Sequence, residues 1–214
     1  MKRLSSWKQI TINQYSDVTS LVASEYSSLL EFKCHYLSIL YDCEIEDIEN
    51  LTVDELTDVS NLPFLSKLPT EVNSKVYDFE LIPFNKLTLG QFIDLENFIT
   101  DVSKVSAIIY HRPNEQYNYD IKARANIMND LSMHDLYGAY TSYLNYRENI
   151  INNSGLFESA ETDEDDPQPK SNKYAWEMMV NVLSNDDITK YHKVLNLSHV
   201  LCFNYLSMKK SKLI

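Results

Sequence analysis

Residues 87–95 read Leu87-Thr88-Leu89-Gly90-Gln91-Phe92-Ile93-Asp94-Leu95. An apolar residue stands before a threonine, and a polar side chain follows three places after it. The threonine oxygen can accept from a backbone N–H that a helix leaves unpaired, while Leu87 and Phe92 close over the first turn. The stretch is therefore a helix start. The same form recurs at Ile10-Thr11 with Gln14 and Tyr15, at Leu51-Thr52 with Glu55 and Leu56, at Leu131-Ser132 with Asp135 and Leu136, and at Leu183-Ser184 with Asp187 and Ile188. Leu197-Ser198 keeps the cap and its apolar neighbour but has Leu201 in the polar place. Six helix starts are thereby located. Residues 10–18, 51–59 and 87–95 share a longer pattern at offsets of 41 and 36 residues. Offsets that differ favour convergence on capping chemistry over duplication, because repeat architectures hold a fixed period.

Apolar spacing outlines what these helices bury. Leu29, Phe32, Tyr36, Ile39, Leu40 and Cys43 predict an apolar face on a helix near residues 25–42. From Thr88, the residues Phe92, Leu95, Ile99, Val102, Val105 and Ile109 predict one long helix ending at His111-Arg112-Pro113. Residues 132–152 predict another, with Leu136, Tyr140, Tyr143 and Leu144 inward and Gly155 as its stop. Val76-Tyr77-Asp78-Phe79-Glu80-Leu81 alternates like a half-buried strand, and Tyr117-Asn118-Tyr119-Asp120-Ile121 is the candidate to pair with it. The expected fold class is mainly α: a multi-helix body over residues 1–157 with a small two-stranded β element. Six acids among residues 158–166, then Pro167 and Pro169, predict a solvated, mobile acidic linker over residues 158–173. A C-terminal helical segment, residues 174–214, follows it, and its lysines Lys209, Lys210 and Lys212 suit a helix C-terminus.

Composition narrows the function classes. Hydrophobic residues make up 44% of the 214, enough to fold, and there are only three Gly and six Pro. At the average usage of about 7%, roughly fifteen Gly would be expected, so turn-rich sheets and Gly-rich phosphate loops are disfavoured. A net charge of -12 repels phosphate backbones and anionic lipid. No apolar run approaches the ~20 residues of a spanning helix, and the first twelve residues lack the apolar core of a secretory signal. Neither nucleic acid nor membrane is expected as a partner, and the expected compartment is the cytosol.

Cys34, Cys43 and Cys202 cannot all pair and have no C-x-x-C spacing, so buried free thiols are expected. His35, His111, His134, His192 and His199 lack metal-ligand spacing, and the acids between Cys43 and Glu49 lack the alternation and Gly of a calcium loop. Nucleophile elbow, phosphate loop, dinucleotide and kinase signatures are missing as well. The expectation is a protein that is not an enzyme and takes no metal or cofactor. Fifteen tyrosines and two tryptophans point to contact chemistry, since aromatic side chains combine area with a polar tip. The core can use many of them; Tyr137, Tyr140 and Tyr143, with Trp176, Met178 and Met179 of the tail, are the candidate partner-binding residues.

Two regions carry a family resemblance. The first is Trp7, Ile10-Thr11-Ile12 and Gln14-Tyr15 with the later residues 87–95. The second is Tyr174-Ala175-Trp176, then Asn185-Asp186-Asp187-Ile188-Thr189-Lys190, then residues 195–206. In these the chain resembles small proteins of tailed phages, chiefly phages of Bacteroidetes hosts including crAss-like phages, that look like tail assembly chaperones or virion components. Ala175 and Asn185 stand where such proteins often have Gly. The resemblance implies a non-enzymatic tail or virion assembly protein in the host cytoplasm that binds phage structural proteins, such as tape measure, tail or connector proteins. The alternative it implies is a permanent virion component: a tail ring, a connector or a capsid cargo protein. Self-association into a homo-oligomer is compatible with the same features.

Overall fold

The computed structural model describes residues 2–22, 26–156 and 175–212. The acidic linker expected over residues 158–173 lies outside the described residues. The helices and strands are α1 (Ile12–Val22), α2 (Leu29–Tyr41), α3 (Ile45–Glu49), α4 (Val53–Ser60), β1 (Lys75–Val76), β2 (Phe79–Leu81), α5 (Leu89–Asn97), α6 (Val102–Ile109), β3 (Tyr110–His111), α7 (Ile121–Asn129), α8 (Met133–Ser154), α9 (Ala175–Ser184), α10 (Tyr191–Leu195) and α11 (His199–Lys210). The fold is mainly helical with a small antiparallel sheet in the order β1-β2-β3.

The caps form as their chemistry requires at four starts. Thr11, Thr52 and Thr88 each accept from the backbone N–H three residues on, at 3.1, 3.3 and 3.2 Å, and Gln14, Glu55 and Gln91 accept in return from the threonine N–H. Ser132 accepts from the Asp135 N–H at 3.2 Å. The starts also pair with one another. The Ile12 N–H donates to the Leu131 carbonyl and the Met133 N–H to the Ile10 carbonyl, at 2.9 and 2.8 Å. In the same way the Leu89 N–H donates to Leu197 at 2.7 Å and the His199 N–H to Leu87 at 3.2 Å. Thr11 with Ser132, and Thr88 with Ser198, thus form isolated antiparallel bridges. Backbone donors that a helix cannot satisfy internally are satisfied by a second helix start.

Ser184 is a correction: it is the buried last residue of α9, and its hydroxyl bonds back to the Asn181 carbonyl at 2.9 Å. A serine near a helix end can serve either role, and here the apolar run before it is already helical. Asn185 and Asp186 then turn the chain with φ of 55° and 60°, and Asp187 caps the next short turn.

The long helix expected from Thr88 is two helices. α5 stops at Asn97, and Asp101 opens α6 by accepting from the Lys104 N–H at 3.0 Å. A new cap lets the chain change direction while keeping both apolar stripes buried, Leu89, Phe92 and Leu95 on one and Val105, Ile108 and Ile109 on the other. In α2 the buried positions are Cys34, Leu37, Ser38 and Leu40, and Leu29, expected inward, is 81% exposed.

The strand expectation also changes. Residues 76–81 fold as a hairpin rather than one strand, turning at Tyr77 with φ 53° so that Val76 faces Phe79. The third strand is β3, with Glu80 opposite His111, and not residues 117–121. Those tyrosines are instead anchored by their hydroxyls, Tyr117 donating to Asp94 at 2.6 Å and Tyr119 to the Ala107 carbonyl at 3.0 Å. Asp120 caps α7, a helix the apolar pattern did not reveal, because its buried face is only Arg124, Ala125 and Met128. Arg124 is accommodated by an ion pair with Glu115 and by the Tyr119 ring.

Two apolar clusters result. The larger surrounds α6, whose residues Val105 to Ile109 pack against α7 and α8. The smaller joins Leu89 and Phe92 of α5 to Val180, Val194, Cys202 and Phe203 of the C-terminal segment. α5 contributes to both, Leu95 to the first and Phe92 to the second.

Candidate protein-docking surfaces

Charge divides this chain sharply. Residues 28–60, spanning α2 to α4, hold nine acids against Lys33 alone, a net of -8 out of -12 for the whole chain. Residues 188–214 hold five lysines and no acid. Each of these regions also carries large apolar side chains in solvent.

At the acidic end, the N-terminal turns of α2 and α4 with the end of α3 enclose a cleft of about 480 Å³. Leu30, Cys34, Ile48, Leu51, Val53 and Leu56 line it, with Ser28, Glu31 and Glu49 also on its wall. Leu30 is 60% and Val53 80% exposed. Burial and the charge of Glu49 push the Cys34 thiol up, so it stays neutral as part of the apolar wall. Hydrogen bonds from Ser27 hold Glu31 below the usual carboxylate range, and the Thr52 N–H and hydroxyl do the same for Glu55. Glu31, on the cleft wall, therefore keeps its charge through the neutral range.

At the basic end, α11 buries His199, Cys202, Phe203 and Leu206. Leu201, Tyr205 and Met208 stand exposed. Spaced by four and three residues, they share one helix face. That stripe runs toward the exposed Lys209 and Lys212. On α9, Val180 faces the small core while Met178 and Val182 are exposed.

The six candidate residues separate by depth. Tyr143 is fully buried, edge-on to Phe84, and its hydroxyl has no hydrogen-bond partner among the described residues. Tyr140 is nearly as deep and donates to the Ile99 carbonyl at 3.0 Å. Both are core side chains, which corrects their placing as contact residues: the inward face of α8 needs large apolar rings against α6. Tyr137 is half-buried between Tyr15 and Tyr140, its pKa raised chiefly by burial. Trp176 packs edge-on to Phe92 and stacks on Phe203, and Met179 lies against the same cluster. Met178 alone of the six is more than half exposed. Leu30, Val53, Leu201, Tyr205 and Met208 were missed. For α11 a signal existed, since twelve residues with so many apolar side chains leave some for a second face.

A cleft of about 810 Å³ lies between Lys86, Thr88 and Gln91 on one side and His111, Glu115, Tyr117 and His192 on the other. Its Glu115 is occupied by Arg124 and by the Arg112 N–H, and its Tyr117 by Asp94. Among the described residues no three His, Cys, Asp or Glu side chains are grouped to hold a metal ion, and no helix is long and apolar enough to cross a membrane. No protein-family model, curated protein or solved structure matches the chain.

Proposed function

We propose that this chain is a non-enzymatic assembly protein of a tailed phage, which binds a virion structural protein, such as a tape measure, tail or connector protein, in the host cytoplasm during morphogenesis. Support comes from the resemblance in residues 7–95 and 174–206 together with one structural observation. Met178 and Val182, one turn apart on α9, are 54% and 39% exposed although the same helix presents Val180 to the core. An apolar pair displayed on one helix face is the kind of surface on which another protein can dock.

A tagged copy purified from infected cells tests the reading. Recovery of a virion structural protein, reduced by Val182→Asp, is the expected result; recovery of none would count heavily against it. Mass spectrometry of purified particles separates the alternative, since a tail ring, connector or capsid cargo protein is present in fixed stoichiometry and an assembly chaperone is not.

A further inference from the structure

We infer that the apolar, lysine-ended stripe of α11 in one copy docks in the acid-rimmed cleft between α2, α3 and α4 of a second copy, so that the chain assembles head to tail. Three observations lead there, and none depends on the phage reading.

The two surfaces are complementary in both properties that decide recognition. Leu201, Tyr205 and Met208 offer an apolar ridge at helical spacing, and Leu30 and Val53 flank an apolar cleft. Glu31 and Glu49 lie at that cleft, and Lys209 and Lys212 lie beyond the ridge. A helix laid in a groove with its basic end against an acidic rim combines apolar burial with charge steering.

The match is between copies rather than within one. The inner face of α11 is held against α5, α8 and α9, with His199, Cys202 and Phe203 in the small core. Turning its outer stripe into the chain's own cleft would expose those buried side chains. A neighbouring copy needs no such rearrangement.

The contact is also one-directional. The stripe and the cleft of a copy are built from different residues, so docking one leaves the other open. Such a heterologous contact closes into a ring or extends as a filament, according to the rotation between copies.

Sedimentation of the full chain over a dilution series tests this. Wild type should form species larger than monomer as concentration rises, and added salt should weaken them because exposed charges are screened beyond about 8 Å at physiological ionic strength. Leu201→Glu blocks the stripe and Val53→Glu the cleft, and both positions are exposed, so the variants should melt as wild type does. Each alone should associate at least about tenfold more weakly, the loss carried by one disrupted apolar anchor. Mixed in equal amounts they should form a dimer that grows no further, because one retains its cleft and the other its stripe. If either variant melts at lower temperature, Lys209→Glu with Lys212→Glu replaces Leu201→Glu, and Glu49→Lys, at the exposed end of α3, replaces Val53→Glu. The inference is overturned if wild type stays monomeric throughout, which would leave the cleft to a different protein, if neither variant weakens association, or if the mixture remains monomeric.

Discussion

The Nε2 of His199 lies 2.9 Å from the hydroxyl of Tyr146, which ties the first turn of α11 to the middle of α8. The other ring nitrogen, Nδ1, is 2.8 Å from the Leu87 carbonyl oxygen, which can only accept. Nδ1 therefore carries the hydrogen, and in the neutral ring Nε2 accepts from Tyr146. The ring also stacks on Phe92 at 5.0 Å. Fully enclosed and bonded at both nitrogens, it joins the body to the C-terminal segment in its uncharged form.

A pH dependence follows from that enclosure. Burial lowers the His199 pKa from its ordinary 6.5, outweighing the Leu87 bond that raises it. Below about 6.5 the unfolded chain then binds a proton that the folded chain resists, so stability is full above that pH and falls as pH drops through it. Thermal melts between pH 7.5 and 5.5 should show this decline, and His199→Gln, though less stable throughout, should show a shallower one. Equal slopes would mean that His199 is not held neutral.

Gln91 and Glu55 occupy the same place in two capping boxes with different surroundings. Gln91 is buried and accepts from the Thr88 N–H at 2.9 Å, whereas Glu55 is exposed. Gln91→Ala leaves a shielded N–H without its acceptor and should cost about 2 kcal/mol, while Glu55→Ala, where water takes over, should cost clearly less. Urea denaturation of the two variants measures the difference, and equal losses would contradict the argument.

Gly138 lies inside α8, where a Cβ would come within 1.8 Å of the Glu71 carbonyl oxygen. The loop cannot easily retreat: Asn73 donates to the His134 and Asp135 carbonyls, and its own carbonyl accepts from Tyr110. Gly138→Ala should destabilise by about 1–3 kcal/mol through overpacking, despite alanine's helix preference of roughly 1 kcal/mol. A denaturation midpoint at or above that of wild type would show that the loop moves freely.

Asn185 follows α9 with φ 55°, a left-handed conformation that glycine adopts freely and asparagine tolerates. Asn185→Gly should stay within about 0.5 kcal/mol of wild type, and Asn185→Val should lose about 1–2 kcal/mol. Matched thermal melts of both variants check the order.

The sequence by itself determined the helical character and several helix starts, because a cap is made within four consecutive residues: Thr11, Thr52, Thr88 and Ser132 all open helices with the expected bonds. Local chemistry could not distinguish Ser184, where the same syntax ends a helix. Nor could periodicity reveal the break at Asp101, since the apolar stripe continues across it. Only tertiary structure decided that Thr11 meets Ser132 and Thr88 meets Ser198, pairings over more than a hundred residues that no short pattern encodes. It also decided the fate of the tyrosines. The spacing of Tyr140 and Tyr143 is the same whether α8 faces solvent or core, and α6 packed against it makes them interior. The exposed stripe on α11 arose likewise: His199, Cys202, Phe203 and Leu206 are covered by α5 and its neighbours, and Leu201, Tyr205 and Met208 are left outside because one helix cannot turn both faces to the same core.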